Sequence, residues 1–167
     1  MKILVAEDEQ DISSLYRRAL EERAHEVIIT ANGEECIEVY RRQHQDLLKA
    51  GVPDVVILDY RMPKMDGLQA AKEILKLNPN QRIIFASAYV KDTLVESVKE
   101  LNRVVEMVQK PFTMSTMADI VEDREAYEGL KTLMANVKKI TDFDNPSSNE
   151  IKVLFEGLRK VQRFRAF

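Results

Sequence analysis

Four short stretches of this chain place a reactive side chain at or just past the end of a largely apolar run. Glu7 and Asp8 follow Ile3-Leu4-Val5-Ala6, and Asp59 follows Val55-Val56-Ile57-Leu58. Ser87 follows Ile83-Ile84-Phe85-Ala86, and Lys110 lies two residues past Val108, the end of the mostly apolar stretch 104–108. If one fold gathers these groups, their chemistry is constrained. Three carboxylates in one cleft repel, and at least one is driven towards protonation. A divalent cation removes that penalty, and an all-oxygen donor set suits Mg2+. A hydroxyl and an ammonium facing that cation can share the equatorial oxygens of a transferring phosphoryl group. The carboxylate at the centre is then a nucleophile that forms an acyl phosphate. On this reading Asp59 is the nucleophile, with Ser87 and Lys110 beside the phosphoryl group and Glu7, Asp8 and Asp59 as metal acids.

The elements that must position these groups follow from the periodicity. Residues 55–58 are apolar on both alternating faces, the pattern of a central strand buried on both sides. Turn chemistry follows at once in Met62-Pro63 and Met65-Asp66-Gly67. Strands are expected at 2–6, 27–30, 55–59, 82–86 and 104–108. Helices between them are expected at 11–22, 34–49, 68–77 and 92–101, the first on an apolar stripe of Ile12, Leu15, Tyr16, Ala19 and Leu20. The second buries Cys36, Ile37, Tyr40, Leu47 and Leu48, and the third Leu68, Ala71, Ile74 and Leu75. Alternating strands and helices imply right-handed crossovers and a parallel sheet. The expected fold is α/β, a flavodoxin-like doubly wound five-stranded sheet of order 2-1-3-4-5. In that order the first and third strands flank the switch point, where open α/β sheets hold their functional groups.

Past Phe112 the pattern is helical only. Met117, Ile120, Tyr127, Leu130, Met134 and Val137 trace a stripe that can continue without a strand to about Ile140. A linker is expected over 141–146. Ser147 and Glu150 are spaced as a capping box that opens a last helix. The division expected is a domain over 1–123 and a helical extension over 124–167. The extension is too small for an independent core of ordinary stability, so it should pack on the domain, dimerise or dock on a partner.

Bulk composition narrows the class. With 45% apolar and 32% charged residues among 167, the chain can build a core and solvate its surface. A net charge of −3 speaks against general attraction to nucleic acid or anionic membranes. One cysteine precludes an internal disulfide and fits a reducing compartment. No apolar run is long enough for a membrane span, and the chain enters a strand at residue 2 with no room for a signal peptide, so a cytoplasmic protein is expected.

Taken singly, each site residue has a plainer reading: a turn aspartate, an acidic helix start, a backbone-bonded serine, a solvated lysine. Taken in order, Glu7-Asp8, Asp59-x-x-Met62-Pro63-x-Met65-Asp66-Gly67, Ser87-Ala88 and Lys110-Pro111-Phe112 resemble the receiver domain of two-component response regulators, over about 2–112. The resemblance implies a phosphorelay protein, not a turnover enzyme, in which Asp59 accepts a phosphoryl group from a sensor histidine kinase. It implies Mg2+ held by Glu7, Asp8, Asp59 and the backbone carbonyl of Arg61, and a commonly cis Lys-Pro bond. It further implies that Ser87 moves inward and switches the face made by the helix over 92–101, the fifth strand and the helix after it.

The sequence departs from the pattern in places. Glu7 stands where many members have Asp, and Met107 where an aromatic is usual, which puts an aromatic switch in question. Residues 41–52 make the second helix and its loop longer than usual. Arg61 and Tyr89, two residues past Asp59 and Ser87, sit at the mouth of the expected cleft and are candidates to tune acyl-phosphate lifetime, with Met107 as a third modulating position. His25 and His44 are read as solvated and Cys36 as a small hydrophobe in the core. Three rival functions remain: a transcription regulator whose basic tail over 159–165 touches DNA, an Mg2+-dependent phosphatase with an aspartate nucleophile, and a receiver that takes no phosphate and works by protein contact alone, which the intact site residues argue against. The tail past Thr113 balances acids against bases, which favours partner binding or a homodimer over DNA. The phosphatase reading places its nucleophile after the first strand, with a second Asp where this chain has Arg61.

Overall fold

A computed structural model describes residues 1–45, 51–88, 101, 104–137, 147, 151 and 152. Five parallel strands form one sheet of order β2-β1-β3-β4-β5. They are β1 (Lys2–Ala6), β2 (Glu26–Thr30), β3 (Val55–Asp59), β4 (Arg82–Ser87) and β5 (Glu106–Gln109). The described helices are α1 (Gln10–Glu21), α2 (Gly33–Gln45), α3 (Gly67–Leu77), α4 (Met114–Glu122) and α5 (Arg124–Val137). The doubly wound parallel sheet matches the expected fold. The expected helix over 92–101 and the residues Leu47 and Leu48 lie outside the described residues, apart from Leu101.

Side-chain alternation gives the sheet two buried faces. Leu4, Ala6, Val56, Leu58, Ile83 and Phe85 join Cys36, Ile37 and Tyr40 of α2 and Ala70, Ala71 and Ile74 of α3 in one core. Ile3, Val5, Ile57 and Ile84, of the opposite parity, are as fully buried. α1 buries Ser13, Tyr16 and Leu20. Leu15 departs from expectation: it is 51% exposed, because the buried stripe runs through Tyr16 and leaves Leu15 on its outer flank.

Caps define the helix starts. Asn32 accepts the Glu35 backbone N–H at 3.0 Å, and Glu35 reaches back to the Ala31 N–H at 3.1 Å, a reciprocal cap that starts α2. Asp66 accepts the Gln69 N–H at 2.8 Å and starts α3. Asp123 accepts the Ala126 N–H at 2.9 Å. That cap begins α5 directly after α4, so the segment expected to run on without a strand holds two helices among the described residues. At the far end of the sheet, Arg82 binds Glu106 through two nitrogens at 2.8 and 3.0 Å and donates to the Ile120 carbonyl at 2.7 Å. This pairing begins the β4–β5 ladder at Ile84 and Glu106, so β5 starts two residues later than expected.

The chain divides into two compact units, Met1–Ile120 and Val121–Phe167. In the second, Ser147 accepts the Ile151 N–H at 3.0 Å, while Glu150 and most of the expected last helix lie outside the described residues. Among the described residues no helix is long and apolar enough to cross a membrane.

Candidate functional site

Parallel register brings the predicted groups to one edge of the sheet. Ala6 pairs with Leu58, Asp59 with Ala86, and Ser87 with Gln109. Glu7, Asp59, Ser87 and Lys110 therefore occupy the carboxyl ends of β1, β3, β4 and β5. The Glu7 N–H bonds the Thr30 carbonyl at 3.0 Å, which continues the β1–β2 ladder one residue and fixes where Glu7 leaves it.

The lysine joins two of the acids. Its Nζ donates to Glu7 Oε2 at 2.8 Å and to Asp59 Oδ1 at 3.0 Å. The second oxygen of Asp59 accepts the Arg61 backbone N–H at 3.2 Å. Both carboxylate oxygens of Asp59 are thus held, and the residue is only 9% exposed. Asp8 is solvent-facing, and one oxygen from each of Glu7, Asp8 and Asp59 lies within 4.8 Å of the others. Three carboxylates against one ammonium leave a formal excess of two negative charges. Burial pushes the Glu7 carboxyl above its ordinary range, with the bond and charge of Lys110 opposing and the charge of Asp59 adding to the rise. Burial acts to lower the Lys110 ammonium, but its bonds to Glu7 and Asp59 win and hold it above the ordinary lysine range.

These observations test the fit of a cation. The cluster is all oxygen, carries the charge of a divalent ion in excess, and contains a buried oxygen, Glu7 Oε1, with no hydrogen-bond partner. A hard divalent cation suits such a set.

Ser87 is buried at the end of β4, and its carbonyl accepts the Lys110 N–H at 2.8 Å, so hydroxyl-bearing and amine-bearing residues are backbone neighbours. The Lys110-Pro111 bond is cis. Arg61 reaches the site through its backbone, and its side chain is exposed. Met107 pairs with Phe85 in the ladder and packs, half-buried, against the core. Tyr89 lies outside the described residues.

The loop after Asp59 is folded tightly back. The Met65 N–H bonds the Pro63 carbonyl at 2.7 Å, Lys64 takes a left-handed φ of 65°, and the Gly67 N–H bonds the Tyr60 carbonyl at 3.1 Å. Gly67 was legible as a turn residue only, yet it does more: a β-carbon there would lie 2.2 Å from the Asp59 carbonyl oxygen. The α2 start supports the same loop, because the Gly33 N–H bonds the Met65 carbonyl at 3.1 Å. Tyr16 was also missed as a site neighbour. It counted as core, although helical side chains lean towards the helix start, which here adjoins Glu7 and Asp8.

Comparison with known proteins gives one answer. Residues 3–122 match the response regulator receiver domain. Chemotaxis protein CheY of Thermotoga maritima is 32% identical over 120 residues, 71% of this chain and 92% of that protein. Sporulation initiation phosphotransferase F of Bacillus subtilis is 26% identical over 121 residues, 72% of this chain and 90% of that protein. Among solved structures, the CheX–CheY–BeF3–Mg2+ complex from Borrelia burgdorferi matches with a TM-score of 0.61 at 25% identity, over 70% of this chain and 83% of that chain.

Proposed function

This chain belongs to the response regulator receiver domain family, and on that premise we propose that it accepts a phosphoryl group on Asp59 from a sensor histidine kinase, with Mg2+ as the required ion. The observation that carries the proposal is the lysine bridge: one ammonium is held between Glu7 at 2.8 Å and Asp59 at 3.0 Å, beside a third acid. A purely structural lysine needs one partner and no cluster.

In the proposed reaction an Asp59 carboxylate oxygen attacks phosphorus while the bond from phosphorus to the donor's imidazole nitrogen breaks. The electron pair of that bond leaves with the imidazole. Glu7, Asp8, Asp59 and the backbone carbonyl of Arg61 would hold the ion. Mg2+, when bound, supplies positive charge opposite the phosphoryl oxygens, where charge develops. Lys110 moves its ammonium from the carboxylates to a phosphoryl oxygen, a short shift for a flexible four-carbon stem. Ser87 donates its hydroxyl to another. The Arg61 N–H keeps Asp59 from rotating, so the nucleophile is already oriented when the donor arrives. Arg61, Tyr89 and Met107 are assigned as modulators of acyl-phosphate lifetime and switching.

The division proposed is a receiver over 1–123 and a helical extension over 124–167. The Asp123 cap supports that boundary. Phosphorylation would add charge at the strand ends and bias β5 and the helices on either side of it between two states. The extension is the proposed output element, working by partner docking or dimerisation, with action in the cytoplasm.

The test is incubation with acetyl phosphate and Mg2+, comparing the wild type with Asp59→Ala by intact mass and by sizing. One phosphoryl group should add to the wild type and none to the variant. Equal labelling of both, or labelling of neither, overturns the assignment. A phosphorylation-dependent change in size identifies the extension as a dimerising element.

A further inference from the structure

The hydroxyl of Tyr16 has no task in the reaction above, yet it sits beside the site. Tyr16 is 1% exposed, and its oxygen has no hydrogen-bond partner. A buried hydroxyl left unpaired costs stability, so its retention calls for a reason. Its position supplies one. α1 starts at Gln10, directly after the acids, and a helical side chain leans back towards that start. The Tyr16 ring packs on Phe112 with centroids 6.2 Å apart, and Phe112 is two residues from Lys110, whose amine is bound to Glu7. A second orphan belongs to a group whose charge acts on the Tyr16 phenol: Glu7 Oε1 is buried and also lacks a partner. Burial, with the charges of Glu7 and Asp59 adding to it, pushes the Tyr16 phenol upward, so it stays a neutral donor across the physiological range.

We propose that Tyr16 is a positioning residue whose O–H donates to Glu7 Oε1, holding that carboxylate in the orientation that receives the cation. The donor and acceptor close the gap directly or through one ordered water. Glutamate has one more rotatable bond than aspartate, so a metal acid of this length gains most from a second restraint. Lys110 provides the first restraint at Oε2, and Tyr16 keeps Glu7 in place once Lys110 turns to a phosphoryl oxygen. The inference rests on the Mg2+ site proposed above and adds a residue to it.

The test is Mg2+ titration by calorimetry of the wild type and Tyr16→Phe, with the Tm of each measured without Mg2+. Tyr16→Phe keeps the ring against Phe112 and removes only the hydroxyl, so its Tm without Mg2+ should fall by no more than about 2–4 °C, the shift that loss of one hydrogen bond allows. Loss of a partner to a metal-binding carboxylate weakens metal binding by about 10-fold, and that is the expected loss. Equal affinities for the two proteins overturn the positioning role and leave the Mg2+ site standing. A variant with both weaker binding and a Tm lowered well beyond that shift shows a packing role and overturns it too. No saturable heat with either protein overturns the site itself and this inference with it.

Discussion

Replacing Gly67 with alanine should disable the site without altering any of its charged groups. The added β-carbon would stand 2.2 Å from the Asp59 carbonyl oxygen and 3.1 Å from its carbonyl carbon, both backbone atoms that cannot rotate away. Relief requires the start of α3 and the end of β3 to part by roughly 1 Å, the distance by which such a contact falls short of van der Waals separation. The Gly67 N–H bond to the Tyr60 carbonyl at 3.1 Å resists that parting. Overpacking of this kind costs about 1–3 kcal/mol, and the better helix propensity of alanine returns at most about 1 kcal/mol. The net loss should lower the Tm by roughly 2–8 °C. The functional loss should be larger, because a misplacement of about 1 Å at a reacting group can cost about 100-fold in rate. Intact-mass labelling by acetyl phosphate with Mg2+, timed against the wild type, reads the rate, and a thermal melt reads the stability. Gly33→Ala is the comparison: its β-carbon would meet the Met65 carbonyl oxygen at 2.7 Å, farther along the loop. It should destabilise with a smaller rate loss. If Gly67→Ala labels at the wild-type rate, the close approach does not hold Asp59 in place and the reasoning fails.

Other perturbations test the electrostatics. Lys110→Ala removes the ammonium shared by Glu7 and Asp59; labelling should drop by at least about 100-fold, while the rise in Tm on adding Mg2+ should exceed that of the wild type, because the carboxylates then have no other cation. Arg82→Met leaves Glu106 without its bidentate partner in a nearly buried setting, and denaturant melts should show a loss of about 3–5 kcal/mol, whereas Arg82→Met with Glu106→Leu should recover most of it. Burial pushes the Cys36 thiol up to about 12. The native protein should therefore resist alkylation at pH 8 and react once unfolded. Between about pH 9 and 12 the unfolded thiol ionises and the folded one does not, so stability should fall with rising pH less steeply in Cys36→Val.

Much of the site was legible because each group ends an apolar run. A buried strand announces itself by composition, and the first polar residue after it marks the carboxyl edge. Asp59, Glu7 and Ser87 could be placed that way, Lys110 lies one residue beyond the first polar residue, Gln109, and parallel order then made the four neighbours. What stayed hidden depends on geometry that periodicity does not carry. Leu15 and Tyr16 score alike as apolar, yet the angle of α1 to the sheet exposes one and buries the other. Arg82 and Glu106 are far apart in sequence, with nothing local to mark them as a buried pair. The histidines were read as solvated, and His44 is exposed as expected, but its stacking on Tyr40 at 6.3 Å and the place of half-buried His25, with Nδ1 3.4 Å from the N-terminal amine, had no local signal. The cap at Asp123 was visible only as one acid among many, until its bond to Ala126 showed a helix starting there.

The lysine bridge has a consequence for how the protein is made. Glu7 and Lys110 are 103 residues apart, and Lys110 follows the edge strand of the sheet. Contacts of such long range form late, since the chain between them must be ordered first. During synthesis the acids emerge early and wait, unbalanced, until β5 docks and brings their counter-charge. A truncated or partly folded chain therefore presents the carboxylates without the ammonium. In the phosphotransfer proposed above, only a chain whose sheet is complete has the ammonium in place, so competence for that step would double as a report that folding has finished.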